Sequence, residues 1–294
     1  MLRFKLRGSE LAYQVFIFLL ALVVSISALF PLVYVLGISL TSANELIQNN
    51  YFVLWPQRPT FDAYRRISQN PAVWRSLQIS ALRSSIGPAM NIVIIVLGAY
   101  VLAVKTLPGR KQILMLIIFT MLFTAGLIPR YLVMRQLGLL NSFWVYIFPM
   151  MPDAFGLLVV KIFIENLPDG ILESADMDGA WHYQKLIYLA VPLAKPALAA
   201  VGMFAIVNHW NQWFDALVFV TRSDLHPLQM ILRNILTSDQ FHDAASDILG
   251  DVGRVNVVSM RMATVVVGII PMLMLYPFLQ KYFVHGVFLG SVKG

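Results

Sequence analysis

Six stretches of this sequence, at about 14–38, 80–104, 113–133, 143–164, 196–220 and 263–284, are long and apolar enough to cross a bilayer. A crossing helix needs roughly 20 mainly apolar residues. Nothing else in the chain limits its fold so strongly. The composition agrees, at 59% hydrophobic and 13% charged, where soluble domains carry about 25% charge. A water-soluble fold of 294 residues could not hide that much apolar surface, so the solvent is lipid. The net charge of +7 suits a protein beside anionic lipid, and nucleic-acid binding is not expected. The chain has no cysteine, which excludes a disulfide framework and thiolate chemistry.

The first stretch is too long for a secretory signal, and no small-residue cleavage site follows it, so it is read as retained. The polar segments between stretches are short except at 39–79 and 221–262. No internal repeat or Pro/Gly/Ser linker is present. The expected architecture is one all-α integral membrane domain over 1–294 with six transmembrane helices. If both ends lie inside, the 22 Lys and Arg divide 11 to each side. The compact basic clusters Arg3–Arg7 and Lys105–Lys111 lie tight against stretches, and so favour cytoplasmic termini. Trp55, Trp74 and Trp144 near stretch ends read as interface anchors.

Away from their ends, the first, second, third and sixth stretches hold no Asp, Glu, Lys or Arg. The fourth has Asp153 near an end, and the fifth has His209 and Asp215. An ion-driven transporter usually needs buried ionisable groups or broken helices. The chain also lacks a G-x-x-x-x-G-K-[ST] loop, so it does not cradle ATP phosphates in that way. Energy for uphill transport would come from another polypeptide.

One polar segment offers a handle for such a partner. Glu173, Asp176 and Asp178 place three acids within six residues. Pro168 and Asp169 suit the first turn of a helix. Asp178-Gly179 should end it, and a second short helix fits Ala180–Leu189, with Pro192 closing it or starting the next stretch. Two bent helices of this length are too polar to span and too short to fold alone.

Glu173-Ser174-Ala175-Asp176-Met177-Asp178-Gly179, followed after nine residues by Leu189-Ala190-Val191-Pro192, resembles the cytoplasmic loop of permease subunits of bacterial ABC importers. The family pattern is E-x-A-x-x-x-G, nine residues, then I-x-L-P. Ser174, Leu189 and Val191 are mild departures from it. The tail FVHGVFLGSVKG (Phe283–Gly294) and NHWNQWFDAL (Asn208–Leu217) resemble the carbohydrate-uptake, maltose-transporter branch. The resemblance covers about residues 75–294, with a permease core at 75–284 carrying the loop at 168–192.

The resemblance implies a role for each part. The loop, with Glu173, Ser174, Ala175, Met177, Asp178 and Gly179, would be a coupling helix lying in a cleft of a cytoplasmic ATPase subunit. Glu173 would pair with a basic residue there, Ala175 and Met177 would pack against its surface, and Gly179 would allow the bend. The tail, Gly290, Ser291, Val292, Lys293 and Gly294, would reach the interface between ATPase subunits. The loop, and with it both termini, would face the cytoplasm of a bacterial inner membrane. This chain would need no cofactor of its own, because ATP and Mg would be bound by its partners. It would do no bond chemistry. Those partners would be a second permease, two ATPase subunits and an extracytoplasmic solute-binding protein.

Asn208, Trp210, Asn211, Trp213 and Asp215 have two readings. They could line a translocation path, because aromatic faces and amides suit sugars. The favoured reading is structural, as hydrogen-bonding groups between helices. His182 reads as surface or partner-facing, and Lys161 with Glu165 as a helix-end pair. His209, His226, His242 and His285 lack metal-ligand spacing. The outer loops suggest docking of a binding protein, and their slight excess of basic residues leans towards an acidic, uronate-type oligosaccharide. Two rival expectations are an ion-coupled secondary transporter or channel and a membrane-embedded enzyme using His209 and Asp215.

Overall fold

Pro and Gly decide where the apolar stretches run straight and where they bend. The computed structural model describes residues 8–50, 52–237 and 257–291, and all regular elements among them are helical. They fall into two compact units, residues 1–70 with 235–269 and residues 71–234 with 270–294, where the sequence led us to expect one domain.

The first unit holds α1 (Gly8–Ser39), α2 (Ala43–Gln48) and α3 (Asp62–Gln69). The side chains of residues 12–33 are all exposed, as expected for a helix bathed in lipid or covered by another chain. Packing begins at its end. Ile38, Leu46 and Val53 form a small core with Val258 and Met262, and Ser259 Oγ donates to the Thr41 carbonyl at 2.9 Å. Ser42 caps α2 by accepting from the Glu45 amide.

The second unit starts with α4 (Pro71–Ala103), followed by α5 (Arg110–Leu122) and α6 (Leu127–Gln136). The expected single helix at 113–133 is instead two helices meeting at 114°. Gly126 takes a positive φ of 78°, and the Pro129 ring cannot follow a helical Ala125 carbonyl. Two short 3₁₀ turns, Phe143–Tyr146 and Phe148–Met150, lead into α7 (Ala154–Glu165) across a 46° bend beside Pro149 and Pro152. Asp153 caps α7 by accepting from the Gly156 amide at 3.0 Å.

The chain continues through α8 (Asp169–Met177) and α9 (His182–Leu193), then α10 (Lys195–Asn211) and α11 (Phe214–Phe219). After them come α12 (Leu228–Thr237) and the last helix, α13 (Val257–Ser291). Three helices, Ala12–Ser39, Pro71–Ala103 and Val258–Leu275, are long and apolar enough to cross a membrane, and up to six crossings result if each bent pair counts as one. The core of this unit is where α4, α7, α9 and α10 meet, around Ile95, Ala99, Val160, Ala190, Ala194, Ala197 and Val201. Its alanines let the helices approach closely, which is how apolar helices gain contact where lipid offers no hydrophobic drive. Trp55, Trp74 and Trp144, expected as interface anchors, are all exposed.

Candidate functional site: a bent loop and a buried polar junction

The loop has the predicted bend. Helix α8 runs from Asp169 to Met177 behind Pro168 at its N-cap. It stops at Gly179, whose φ of 74° a side chain would strain. The Ala180 amide then donates to the Ala175 carbonyl at 2.9 Å, closing the end in the manner of a Schellman turn. The second helix covers His182–Leu193, later than expected, and Pro192 lies inside its last turn. Between Lys185 and Ala190 it widens into a π-helical turn. Asp176 pairs with the buried Lys185, stitching the two helices together.

Outward-facing groups are concentrated at the bend. Glu173, Ser174 and Asp178 are exposed, and Met177 is 89% exposed beside Trp181, Tyr183 and Tyr188. Ala175 differs from its expected placement. It is only 9% exposed and faces its own chain, so Met177, not Ala175, presents an apolar knob outwards. His182 is exposed, with Nδ1 3.5 Å from the Tyr100 hydroxyl. Lys161 and Glu165 do pair, and Arg110 joins them with a 2.6 Å bond to Glu165. Of the expected tail, Gly290 and Ser291 end the last helix, while Val292, Lys293 and Gly294 lie outside the described residues.

The five candidates of the fifth stretch separate into two groups. Asn208 and Asn211 are exposed, and Trp213 is half-buried with the Arg233 guanidinium 4.4 Å above its ring. Trp210 is 4% exposed, packed with Leu228 and Leu232. Asp215 is buried by a partner that the sequence reading passed over.

That partner is Arg83 on α4, whose side chain has no solvent exposure. Its two terminal nitrogens donate to Asp215 Oδ1 at 3.3 Å and Oδ2 at 2.5 Å. It also donates to the Gln212 carbonyl at 3.0 Å and lies 4.5 Å from the centre of the Tyr146 ring. Tyr146 in turn donates to the Leu225 carbonyl at 2.9 Å. The break between α10 and α11 explains the arrangement. Asn211 ends one helix and Phe214 starts the next, leaving carbonyls at one end and amides at the other. A guanidinium suits the carbonyl end, and Asp215 suits the first turn of α11, where its carboxylate accepts from the Ala216 amide at 2.8 Å.

Asn91, two turns further along α4, does the same at another break. Its amide donates to the Met151 carbonyl at 2.9 Å. Ser80 accepts from the Leu228 amide at 2.8 Å where α12 begins. Beside Arg83 the packing is close. A β-carbon on Gly87 would lie 2.4 Å from His209 Nε2, and His209 Nδ1 has no hydrogen-bond partner among the described residues.

No protein-family model matches the sequence. The chain is 34% identical over 282 residues to the polygalacturonan/rhamnogalacturonan transport system permease protein YtcP of Bacillus subtilis (strain 168), covering 96% of this chain and 98% of that one. It is 36% identical to the protein LplC of the same organism over 264 residues, 90% and 89% of the two chains. The chain belongs to the permeases of bacterial sugar ABC importers. Among solved structures, a chain from a bacterial ABC transporter involved in the import of the acidic polysaccharide alginate superposes with a TM-score of 0.84 at 29% identity, covering 95% of this permease and 99% of that chain.

A sequence signal for the junction does exist. Ser76, Ser80, the adjacent Arg83 and Ser84, Gly87 and Asn91 follow one another at steps of three or four residues along α4 and are all buried. That is a polar stripe at helical spacing. A search for charges in span interiors misses it, because Arg83 lies four residues into the predicted second stretch and counts there as an end group.

Proposed function

We propose that this permease forms half of the membrane path of an ATP-driven importer for acidic oligosaccharides. A second permease completes the path. One of two cytoplasmic ATPase subunits holds the 169–193 loop, and an extracytoplasmic solute-binding protein delivers the solute. The chain crosses the bacterial cytoplasmic membrane six times with both ends inside. The fifth crossing is α10 continued past its break by α11, and the last turns of α13 run towards the ATPase subunits.

One observation carries this reading. The loop is an exposed, sharply bent helix pair with Met177 and three aromatic rings facing out, yet it is stitched to its own chain by the Asp176–Lys185 pair. A surface that is apolar outside and braced inside suits a part that transmits force to a partner. Glu173 is available for an arginine on that partner. Support for an acidic sugar comes from the polygalacturonan permease and the alginate importer among its relatives.

The test is reconstitution of the importer in vesicles, with and without the ATPase subunits. Uptake of a galacturonate oligomer is expected only with ATP, and Glu173→Lys should release the ATPase while this chain still inserts. Uptake by wild type without ATP or ATPase would mean a channel or an ion-coupled carrier instead.

A further inference from the structure

Helix α6 carries a second arginine within the predicted third stretch, and its setting is the reverse of that of Arg83. Arg130 is exposed, and among the described residues it has no carboxylate partner. Its one contact of note is with the Phe219 ring, 5.8 Å away. It lines an open surface pocket of about 590 Å³ where two helix breaks converge. The whole α5–α6 connection, from Phe123 to Gly126, forms one side. Phe214, the first residue after the α10–α11 break, forms another. Thr120 and Thr124 add hydroxyls. The volume lies within the roughly 300–1,000 Å³ typical of small-ligand sites.

We infer that this pocket is a subsite for one uronate ring of the transported chain, with Arg130 as the group that takes its carboxylate; the inference rests on the function proposed above. An exposed guanidinium with no carboxylate partner among the described residues has its charge available to an anion. The planar guanidinium matches a carboxylate with two parallel bonds. The faces of Phe123 and Phe214 suit the C–H face of a pyranose, and the threonine hydroxyls suit its ring hydroxyls. The non-helical backbone at 123–126 fits the rule that such segments at membrane depth line a cavity or are buried in protein. An anionic lipid headgroup shares the same charge chemistry, and the test separates it from the sugar.

The experiment uses the complete importer, reconstituted in phosphatidylcholine vesicles and fed by its own binding protein. Uptake of trigalacturonate is compared with uptake of its methyl ester, which keeps the backbone and loses the charge. Wild type and Arg130→Gln receive solute from the same binding protein, so its contribution cancels. Loss of one charge-assisted pair predicts a fall in sub-saturating trigalacturonate uptake of roughly 10- to 100-fold for Arg130→Gln. Methyl-ester uptake should stay within about two-fold of wild type, and Arg130→Lys should recover part of the acid rate because it keeps the charge without the fork. Equal loss for acid and ester, or no loss for either, overturns the subsite. So does a selectivity change seen only when anionic lipid is added, because lipid is then the occupant. If wild type moves neutral arabinotriose but neither galacturonate form, the acidic-substrate reading itself has failed, independently of Arg130.

Discussion

The loop at 169–193 is assembled from near neighbours: its capping bonds and its Asp176–Lys185 pair span at most nine positions. The junction around Arg83 joins residues 132 positions apart and closes a break that no local bond can close. The loop turns its acids, Met177 and aromatic rings outward, whereas the junction buries its charges. The contrast implies different consequences of damage. Loop variants should fold and fail to work. Junction variants should fail to fold, because an unpaired buried charge has no water to fall back on.

The largest effect is therefore expected at Arg83. Arg83→Met leaves Asp215 buried without its partner and frees the Gln212 carbonyl, and removing one member of a buried pair costs about 3–5 kcal/mol. Thermal unfolding in detergent should shift sharply down. Arg83→Met with Asp215→Leu should recover much of the loss, because no orphaned charge remains. A double variant no better than the single one would mean that the carbonyl contact, not the ion pair, holds the break. Asn91→Leu comes next. It removes one of two donors to the Met151 carbonyl at the other break, the Asp153 amide remaining at 2.9 Å, at a cost of about 0.5–1.5 kcal/mol.

Gly179→Leu tests the loop side of the comparison. A side chain at φ 74° costs about 1–2 kcal/mol locally, too little to unfold the second unit. Insertion and unfolding temperature should stay close to wild type while ATP-driven uptake collapses. If unfolding shifts as far as it does for Arg83→Met, the loop is part of the folding core and the contrast fails.

The same contrast explains what could be read in advance. The bend at Asp178-Gly179 and the start at Pro168 follow from residues adjacent in sequence. The 114° bend could have been read from Gly126 and Pro129, but an apolar run of the right length hid it. The α10–α11 break carries no Gly or Pro at Gln212–Trp213. Arg83, far away in the chain, donates to the Gln212 carbonyl at that break, and only a polar stripe on α4 hints at it. Ala175 was misplaced for a related reason. The motif gives the positions of loop residues, but the side they face depends on what α8 packs against.

The smallest effect is expected where the second unit meets water. Asp224 accepts from Arg222 at 2.6 and 3.1 Å and from Arg75 at 3.1 Å, all partly exposed. The hydrogen bond from Arg222, and then the two guanidinium charges, hold its carboxyl below the ordinary value of 3.8. A lowered carboxylate adds stability that is complete above that ordinary value and is lost as pH falls through the lowered one. Unfolding temperature should thus be flat in this respect from pH 8 to 5, and Asp224→Asn should cause only a small, salt-screened decrease there. The gap between wild type and variant should begin to close as pH falls below about 3.8 and vanish only below the lowered value. A gap between them that persists in acid would show that Asp224 acts through geometry at the start of this loop. It would then belong with the junction, whose parts matter by position, and not with the exposed surface.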